Sequence, residues 1–292
     1  MDKLWTMRLD DKTIDIVLPY VNPMDKSWQA DFKKYKELAG DKGDNRFRDA
    51  GTLWHWFRLV RKNVKFKYRI VLILAKESQV PKWLSKDMHD VKVVYHREFI
   101  PASELPTFNS SVINCYIPFI NGLHERYILF NDDIFVIKPT YESDWFDGSK
   151  PKFHTDWVVY PRSGKLWDIN IGKCQSLVNG LMHTNVYNVP EHGPLPHIRT
   201  VDLFLWDLLE QKMSESLANS RFRTSHNITD WLFSMFYMVA GVSEWNRNAI
   251  STYYNRERVT IPLTKIACYN DTELIKDYQT YRKHLHYILK SI

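Results

Sequence analysis

The run Asn131-Asp132-Asp133 is the first candidate for chemistry, because it directly follows the apolar stretch Tyr127–Phe130, which predicts a buried strand. Ligands of parallel sheets bind at the carboxyl ends of the strands, and paired carboxylates offer the oxygen ligands that Mg²⁺ and Mn²⁺ prefer. The run therefore predicts a divalent-metal site that would bridge the two phosphates of a sugar nucleotide. The alternative is a turn whose Asp oxygens accept hydrogen bonds from backbone amides.

Two arginine-bearing segments could bind an anion. Arg46, Arg48 and Asp49 lie in RFRDAG, where planar guanidinium groups suit phosphate oxygens and Asp49 could orient an arginine or bind a ribose hydroxyl. Arg223, in RFRTSHN, precedes an apolar helix whose amino end could add backbone donors. Taken alone, the first segment is also typical of a charged surface and the second of a helix cap.

Two further loops supply histidine and asparagine candidates. PEHGPLPH carries His192 and His197 among three prolines, and an imidazole can take a proton from a hydroxyl near neutral pH. The alternative for this loop is an ordinary turn with exposed histidines. Asn109 in LPTFNS either caps the following helix or faces a ligand beside the carboxylates.

The elements that must position these residues alternate between strand and helix over residues 14–140. The expected strands are 14–20, 68–75, 91–95 and 127–130, and the expected helices follow Asp25, Thr52 and Asn109. This order predicts a mostly parallel α/β sheet with right-handed crossovers.

Residues 141–292 are expected to be mainly helical. The expected helices are about 170–188, 201–218, 228–242 and 272–290. We therefore expect a single compound catalytic domain over residues 1–292, in which an α/β nucleotide-binding half is completed by a helical addition.

Composition narrows the class of function. The 292 residues are 44% hydrophobic and 25% charged, which excludes wholesale disorder. The net charge of +6 suits an anionic ligand, but no dense basic run interleaved with aromatics supports nucleic-acid binding. The absence of GxGxxG and GxxxxGK[ST] argues against dinucleotide and P-loop sites. The three cysteines lie far apart, which predicts neither a disulfide framework nor a zinc site and fits a reducing compartment.

The first residues, the longest apolar run and the last residues bear on where in the cell the protein acts. The polar start MDKLWTMRLDD is unlike a signal peptide, and the longest apolar run, 231–242, is too short to span a bilayer, so we expect a cytoplasmic protein. From Asp277 onward, basic residues alternate with apolar ones. Such a helix either rests on the inner face of the cell membrane or packs on the fold with a solvated basic face.

The order of these segments resembles the four conserved regions of the Stealth family, the hexose-1-phosphate transferases of bacterial capsule and exopolysaccharide synthesis, which are similar to the animal GlcNAc-1-phosphotransferase. The resemblance spans about residues 14–240 and is carried by IDIVLPYVNPMDKSW, RFRDAGTLWHWFRLVRKN, LPTFNSSVI with LHERYILFNDD, HGPLP and FRTSHNITDWLFSMFY. It implies a glycosyltransferase-A-like (GT-A-like) fold, a UDP-sugar donor and Mg²⁺ or Mn²⁺. It also implies transfer of sugar-1-phosphate to a hydroxyl of an oligosaccharide or lipid-linked glycan, with release of UMP.

The resemblance implies roles by position in the family's motifs. Asp132 and Asp133 match its NDD and would hold the metal. The implied catalytic residues are Asp133, Arg48, Asp49, His192 and Arg223. Arg46 also matches the family's RFRD. We further expect Tyr20, Asn22, Arg46 and Asn109 to bind the donor, with its uracil end near Tyr20 and Asn22.

Two positions depart from the family's pattern. Asn22 stands where an acidic residue is usual, and Asn114 stands where a Glu is often found. The base that takes the acceptor's proton would then be His192 or one of the NDD carboxylates. Two other functions stay open, a metal-dependent glycosyltransferase that releases UDP and a carbohydrate-binding module without turnover.

Overall fold

A computed structural model describes residues 12–38, 40, 43–85, 88–154, 157–158, 164–246 and 248–292. Its strands are β1 (Ile14–Pro19), β2 (Tyr68–Leu74), β3 (Val91–Tyr95), β4 (Arg126–Leu129), β5 (Ile134–Val136), β6 (Phe146–Asp147), β7 (Lys150–His154), β8 (Trp157–Val158), β9 (Asn188–Val189), β10 (Leu195–Ile198), β11 (Glu244–Asn246), β12 (Ser251–Tyr254) and β13 (Ile266–Tyr269). Its helices are α1 (Lys26–Tyr35), α2 (Leu53–Asn63), α3 (Ser110–Tyr116), α4 (Leu166–Met182), α5 (Arg199–Leu208), α6 (Glu210–Leu217), α7 (Trp231–Val239) and α8 (Tyr278–Ser291).

The central sheet has the strand order β10-β4-β1-β2-β3. β1 is parallel to β2 and β4, β2 is parallel to β3, and β10 runs antiparallel to β4 at one edge. Ile16, Val17 and Leu18 of β1 are fully buried, as are residues 70–74 of β2. Apolar runs of this kind are typical of parallel strands covered on both faces. The expectation of a mostly parallel α/β sheet is confirmed.

Helices α1 and α2 form where the apolar spacing predicts them. The carboxylate of Asp25 accepts a hydrogen bond from the backbone N–H of Trp28 at 2.7 Å and so caps α1. In α2, Trp56 and Phe57 are fully buried. These two aromatic side chains therefore belong to the core.

The second half contains more strand than expected. The expected helix over 201–218 is divided at Leu209 into α5 and α6, and several short strands lie between the helices. The loop PEHGPLPH, expected to be irregular, continues into β10. Its Pro196 is tolerated because β10 is an edge strand, where a missing backbone donor breaks no ladder on the open side.

Strand pairing between distant parts of the chain forms the region that follows β4. The chain leaves β4, passes through 131–133 and enters β5, which pairs antiparallel with β13. β13 also pairs in parallel with β12. Residues close to the carboxyl end of the chain are therefore placed beside the candidate acidic pair.

Helix α8 packs against α2 and the RFRDAG segment. It buries Tyr281 and Leu285, Arg282 Nε donates to the carbonyl oxygen of Ala50 at 3.0 Å, and His286 Nε2 lies 2.7 Å from the same oxygen. The helix therefore packs on the fold, and two of its basic residues contact the fold although the packing alternative expected a solvated basic face.

Within the described ranges, no helix combines the length and the apolar character needed to cross a bilayer. The first eleven residues, on which the expectation of a missing signal peptide rests, lie outside the described part of the chain.

Candidate active site

The carboxylate of Asp133 is the most unusual polar group in the region that follows β4. Its Oδ2 lies 3.6 Å from Cys268 Sγ, whose thiol donates a weak hydrogen bond. Its Oδ1 is buried and has no hydrogen-bond partner among the described residues. The backbone holds the residue in place, because the Asp133 carbonyl oxygen accepts from the N–H of Tyr269 at 2.8 Å. A buried carboxylate oxygen without a partner is costly, so we interpret Oδ1 as reserved for a ligand.

His192 shares this site. One ligand atom each of Asp133, His192 and Cys268 lies within 4.8 Å of the others. The loop is fastened by Ser251, whose hydroxyl donates to the His192 carbonyl oxygen at 3.1 Å. Burial lowers the pKa of His192, against the opposing charges of Asp133 and Asp230. Burial raises the pKa of Asp133.

Asp132 interacts both with Asp133 and with Tyr20, which follows β1. Burial, followed by the charges of Asp133 and Asp49, raises the pKa of Asp132 to about 7. Tyr20 donates its hydroxyl to Asp49 Oδ2 at 2.8 Å, and burial together with Asp49 raises the pKa of Tyr20. The structure therefore brings the expected residues Tyr20, Asp49, Asp132 and Asp133 into one acidic region.

Arg48 is held in a fixed orientation beside this region. Its Nε donates to Asp271 Oδ2 at 2.7 Å, its Nη2 donates to the other oxygen of the same carboxylate, and its guanidinium lies 4.4 Å from the centre of the Tyr278 ring. Burial raises the pKa of Asp271 and Arg48 lowers it, while the charge of Asp133 adds a smaller upward effect. The two-pronged ion pair fixes the plane of the guanidinium.

Arg223 approaches from the loop before α7. Its Nη2 donates to the hydroxyl of Ser110. Asp230, just beyond, occupies the position before the first residue of α7 without capping the helix. It accepts instead from Asn114 Nδ2 at 3.2 Å, and burial raises its pKa, against the charge of Arg223. Asn114, which departs from the family pattern, is therefore paired with a buried carboxylate.

The expectation that Asn109 faces the donor is corrected by its surroundings. Its side chain is fully buried, and its Nδ2 contacts three acceptors: the carbonyl oxygens of Ser220 and Phe222 and Oδ1 of Asn227, at 2.9–3.2 Å. Its Oδ1 caps α3. No polar atom of Asn109 is left for a nucleotide, and the residue acts instead by holding the loop that carries Arg223.

Three other candidates lie away from the contacts described above. Asn22 Oδ1 accepts from the N–H of Met24 at 3.0 Å and closes the turn before α1. Arg46 is exposed on a 3₁₀ turn over residues 44–47. Their contacts with a donor stay predictions. His197 is buried in β10, with its Nδ1 3.2 Å from Asp202 Oδ2, so it belongs to the core.

Sequence reasoning missed three residues of this site. Cys268 lies 135 residues from Asp133, so no local spacing connects them. Asp271 follows β13, a strand that the sequence did not predict, and a carboxylate just after the apolar run IACY was the available signal. Asp230 sits at a helix start, where an acidic residue is usually read as a cap.

The donors suit a hard divalent cation held by oxygen. Asp133 Oδ1 is free of other bonds among the described residues, and Asp132 adds a second carboxylate. Thiol and imidazole ligands favour softer ions such as Zn²⁺. Burial and the charge of Asp133 raise the pKa of Cys268 well above its usual value, and its thiol donates to Asp133 Oδ2. Asp133 and Asp132 are the residues that could hold Mg²⁺ or Mn²⁺.

The fold places the protein among the GT-A-like proteins. Among solved structures, an active-site mutant of LgtC matches with a TM-score of 0.50 at 12% identity, covering 94% of this chain and 96% of that chain. At this identity the likeness concerns the fold alone.

The sequence comparisons identify the family. A family model described as Stealth protein CR2, conserved region 2, matches residues 46–153. The exopolysaccharide phosphotransferase cps2G of Lactiplantibacillus plantarum is 35% identical, over 86% of this chain and 74% of that protein. The capsular polysaccharide phosphotransferase WcwK of Streptococcus pneumoniae is 26% identical, over 76% of each. The chain belongs to the Stealth family.

Proposed function

We propose that the protein is a UDP-sugar sugar-1-phosphate transferase of bacterial capsule or exopolysaccharide synthesis. It moves a hexose-1-phosphate, such as GlcNAc-1-phosphate, from a UDP-sugar to a hydroxyl of a glycan acceptor and releases UMP. The names of the relatives support phosphotransfer. The single observation that carries the proposal is the buried Oδ1 of Asp133, which has no hydrogen-bond partner among the described residues and shares a site with His192.

The proposed reaction replaces one P–O bond at the sugar-bearing phosphorus with another. The acceptor oxygen attacks the phosphorus that bears the sugar and forms a new P–O bond. The P–O bond from that phosphorus to the oxygen shared with the uridine-bearing phosphate breaks, and UMP leaves with this oxygen. The acceptor proton passes to His192 or to an NDD carboxylate. Because the bond between the sugar and its phosphate stays intact, the anomeric configuration of the donor is kept.

The residues around the diphosphate supply charge and orientation. A divalent ion, Mg²⁺ or Mn²⁺, held by Asp133 and Asp132, would offset the negative charge of the diphosphate. Arg48 and Arg223 bind the remaining phosphate oxygens, and the Asp271 ion pair sets the plane in which Arg48 meets them. Preorganised positive charge of this kind is the main contribution that a protein makes to phosphoryl transfer.

The nucleoside end of the donor lies at the end of β1 in this proposal. Tyr20 and Asn22 contact the uridine, and Asp49 is held by Tyr20. Arg46 lies at the edge of this donor site. The described cysteines are all free and buried, which supports a reducing, cytoplasmic location. The acceptor is an oligosaccharide or a lipid-linked glycan.

The nucleotide that is released tests the proposal. The full chain is incubated with a panel of UDP-sugars, Mg²⁺ or Mn²⁺ and an oligosaccharide acceptor, and the products are identified by mass spectrometry. The expected products are UMP and an acceptor heavier by one hexose phosphate. UDP with an acceptor heavier by one hexose would instead indicate an ordinary glycosyltransferase. UDP-sugar that stays intact with every acceptor and metal would indicate a binding module.

A further inference from the structure

Three aromatic rings lie between solvent and the imidazole of the candidate base, and we propose that these four rings form the binding subsite for the sugar ring of the acceptor. The inference rests on the proposed function, because it assumes that His192 faces the acceptor hydroxyl. The rings belong to Trp167, Trp231, His192 and Tyr253, and we refer to them as the aromatic wall.

The aromatic wall is continuous. The indoles of Trp167 and Trp231 meet edge to face, with centroids 5.8 Å apart at 89°. Trp231 lies nearly parallel to the imidazole of His192, at 6.4 Å and 17°. Tyr253 meets the other side of His192 edge to face at 5.0 Å. These contacts lead from the surface to the imidazole that shares a site with Asp133.

The outer rings of the aromatic wall remain open to solvent. Trp167 is 37% exposed and Tyr253 is 38% exposed, and Trp231 is half-buried. Aromatic side chains of this size are normally buried, since they carry large apolar area. Two of them half-open beside a reactive centre indicate a surface that a ligand covers.

Charged groups and aromatic rings both surround Asp133. Asp132, Asp49 and Tyr20 interact with one another after the end of β1, and the Asp271 partner of Arg48 feels the charge of Asp133. Such groups suit a diphosphate and its cation. The rings beside His192 suit a neutral ring, since the negative faces of indole and phenol attract the C–H groups of a pyranose. We therefore assign the donor diphosphate to the charged groups and the acceptor ring to the aromatic wall.

The helices that carry the tryptophans hold the aromatic wall in shape. Trp167 lies in the first turn of α4, and Trp231 is the first residue of α7. The two helices are linked by Cys174 of α4, whose Sγ lies 3.7 Å from the carbonyl oxygen of Thr229, just before α7. Tyr253 is fixed by Asn270, whose Nδ2 donates to its hydroxyl at 2.9 Å. A fixed array of rings loses little conformational entropy when a sugar stacks on it.

Saccharide binding without turnover tests this inference. Four tetrasaccharides, chitotetraose, cellotetraose, maltotetraose and β-1,4-galactotetraose, are titrated into the full chain by NMR up to about 50 mM, and UDP with Mn²⁺ is titrated in parallel. We expect at least one tetrasaccharide to bind. Trp231→Ala and Trp167→Ala should each weaken its binding about tenfold or more, as loss of one stacking platform does, and Trp231→Phe should weaken it less. UDP affinity should change less than about twofold, because the charged side of the site is untouched.

The matched control is Trp245→Ala, which removes another exposed indole, on β11. It should bind the tetrasaccharides as the unaltered chain does. Binding that is equal in all variants, or no saccharide binding to the unaltered chain, overturns the aromatic wall. A loss confined to UDP would assign the rings to the uracil and also overturn it. Since no turnover is measured, these outcomes are independent of whether UMP or UDP is the product.

Discussion

Asp133 and Asp202 both lie beside a histidine of the same loop, and their hydrogen bonds are very different. Asp202 is fully buried and accepts from the hydroxyls of Tyr127 at 2.6 Å and Tyr237 at 3.0 Å, with His197 Nδ1 3.2 Å from its Oδ2. Asp133 receives only a weak thiol donor on one oxygen, and its other oxygen has no partner in the described part of the chain.

This difference separates a structural acid from one that is suited to a ligand. A buried carboxylate is stable when hydrogen bonds replace its lost water. In the Asp202 cluster (Asp202, Tyr127, Tyr237 and His197), the protein supplies those bonds, and the His197 ring also stacks on Tyr127 at 4.8 Å. In the Asp133 cluster (Asp133, His192 and Cys268), Oδ1 of Asp133 has no partner among the described residues and can bind a ligand.

The largest expected effect follows from removing the carboxylate of Asp133, whose Oδ1 has no partner among the described residues. Asp133→Ala should reduce turnover at least about a hundredfold, in line with loss of a metal ligand. Its unfolding free energy should be unchanged or higher, because an undersolvated charge disappears. Steady-state kinetics and urea unfolding check both results. Turnover close to that of the unaltered chain would remove Asp133 from the reaction.

His192→Ala is expected to have a similar effect on rate. The imidazole shares a site with Asp133, and loss of a general base costs about a hundredfold or more. Circular dichroism should show an unaltered fold. The matched control is His226→Ala, which removes an exposed histidine and should leave the rate within about twofold of the unaltered value. If both variants react equally fast, the proton goes elsewhere, with an NDD carboxylate the remaining candidate.

Asp202→Asn should affect stability more than activity. Tyr237 keeps the Ile198 carbonyl oxygen as an acceptor at 2.9 Å. The short hydrogen bond from Tyr127 instead loses its charged acceptor, at a cost of about 2 kcal/mol. Urea unfolding measures the loss, and kcat of the folded fraction should stay within about threefold. A large fall in kcat with unchanged stability would mean that the two clusters do not differ in kind.

Asp271→Asn should loosen Arg48 without removing its charge. We expect the KM for UDP-sugar to rise about tenfold, the effect of weakening one charge-assisted contact, with a smaller change in kcat. The control is Asp144→Asn, which breaks another partly buried pair, with Lys265 at 2.7 Å. Equal kinetic effects in the two variants would show that the Arg48 pair has no special role.

The smallest effect concerns His96, a buried histidine. Among the described residues, no carboxylate pairs with it. Burial lowers the pKa of His96 to about 4. Between about pH 7 and pH 5.5 the unfolded chain therefore takes up a proton that the folded chain refuses, and about 1 kcal/mol of unfolding free energy is lost as the pH falls. His96→Leu should lack that part of the decline, as urea unfolding at the two pH values can show. Parallel declines would mean that His96 titrates normally.

The sequence predicted the first half of the fold well, because its strands are continuous apolar runs and its helices have clear spacing and caps. β3 was predicted with its observed ends, Val91 and Tyr95. The second half was harder, since strands such as β10 and β13 are only four residues long and owe their pairing to distant partners.

The candidate site residues also differed in how far the sequence could predict them. The position of Asp133 after a strand could be predicted because the apolar run of that strand is plain in the sequence, while its role in a site stays a prediction. Cys268 and Asp271 could not be predicted, because only the pairing of β13 with β5 brings them near. Asn109 was misassigned because an amide that caps a helix and one that meets a ligand look alike in sequence, and only its contacts with Phe222 and Asn227 separate them.

Binding of Mn²⁺ tests the comparison most directly. Electron paramagnetic resonance counts the Mn²⁺ bound in the presence of UDP by the unaltered chain, by Asp133→Asn and by Asp202→Asn. We expect the unaltered chain and Asp202→Asn to bind one ion with similar affinity, and Asp133→Asn to bind at least about tenfold more weakly. If Asp133→Asn binds the ion as tightly as the other two, the unpartnered oxygen has another purpose and the proposed centre is wrong.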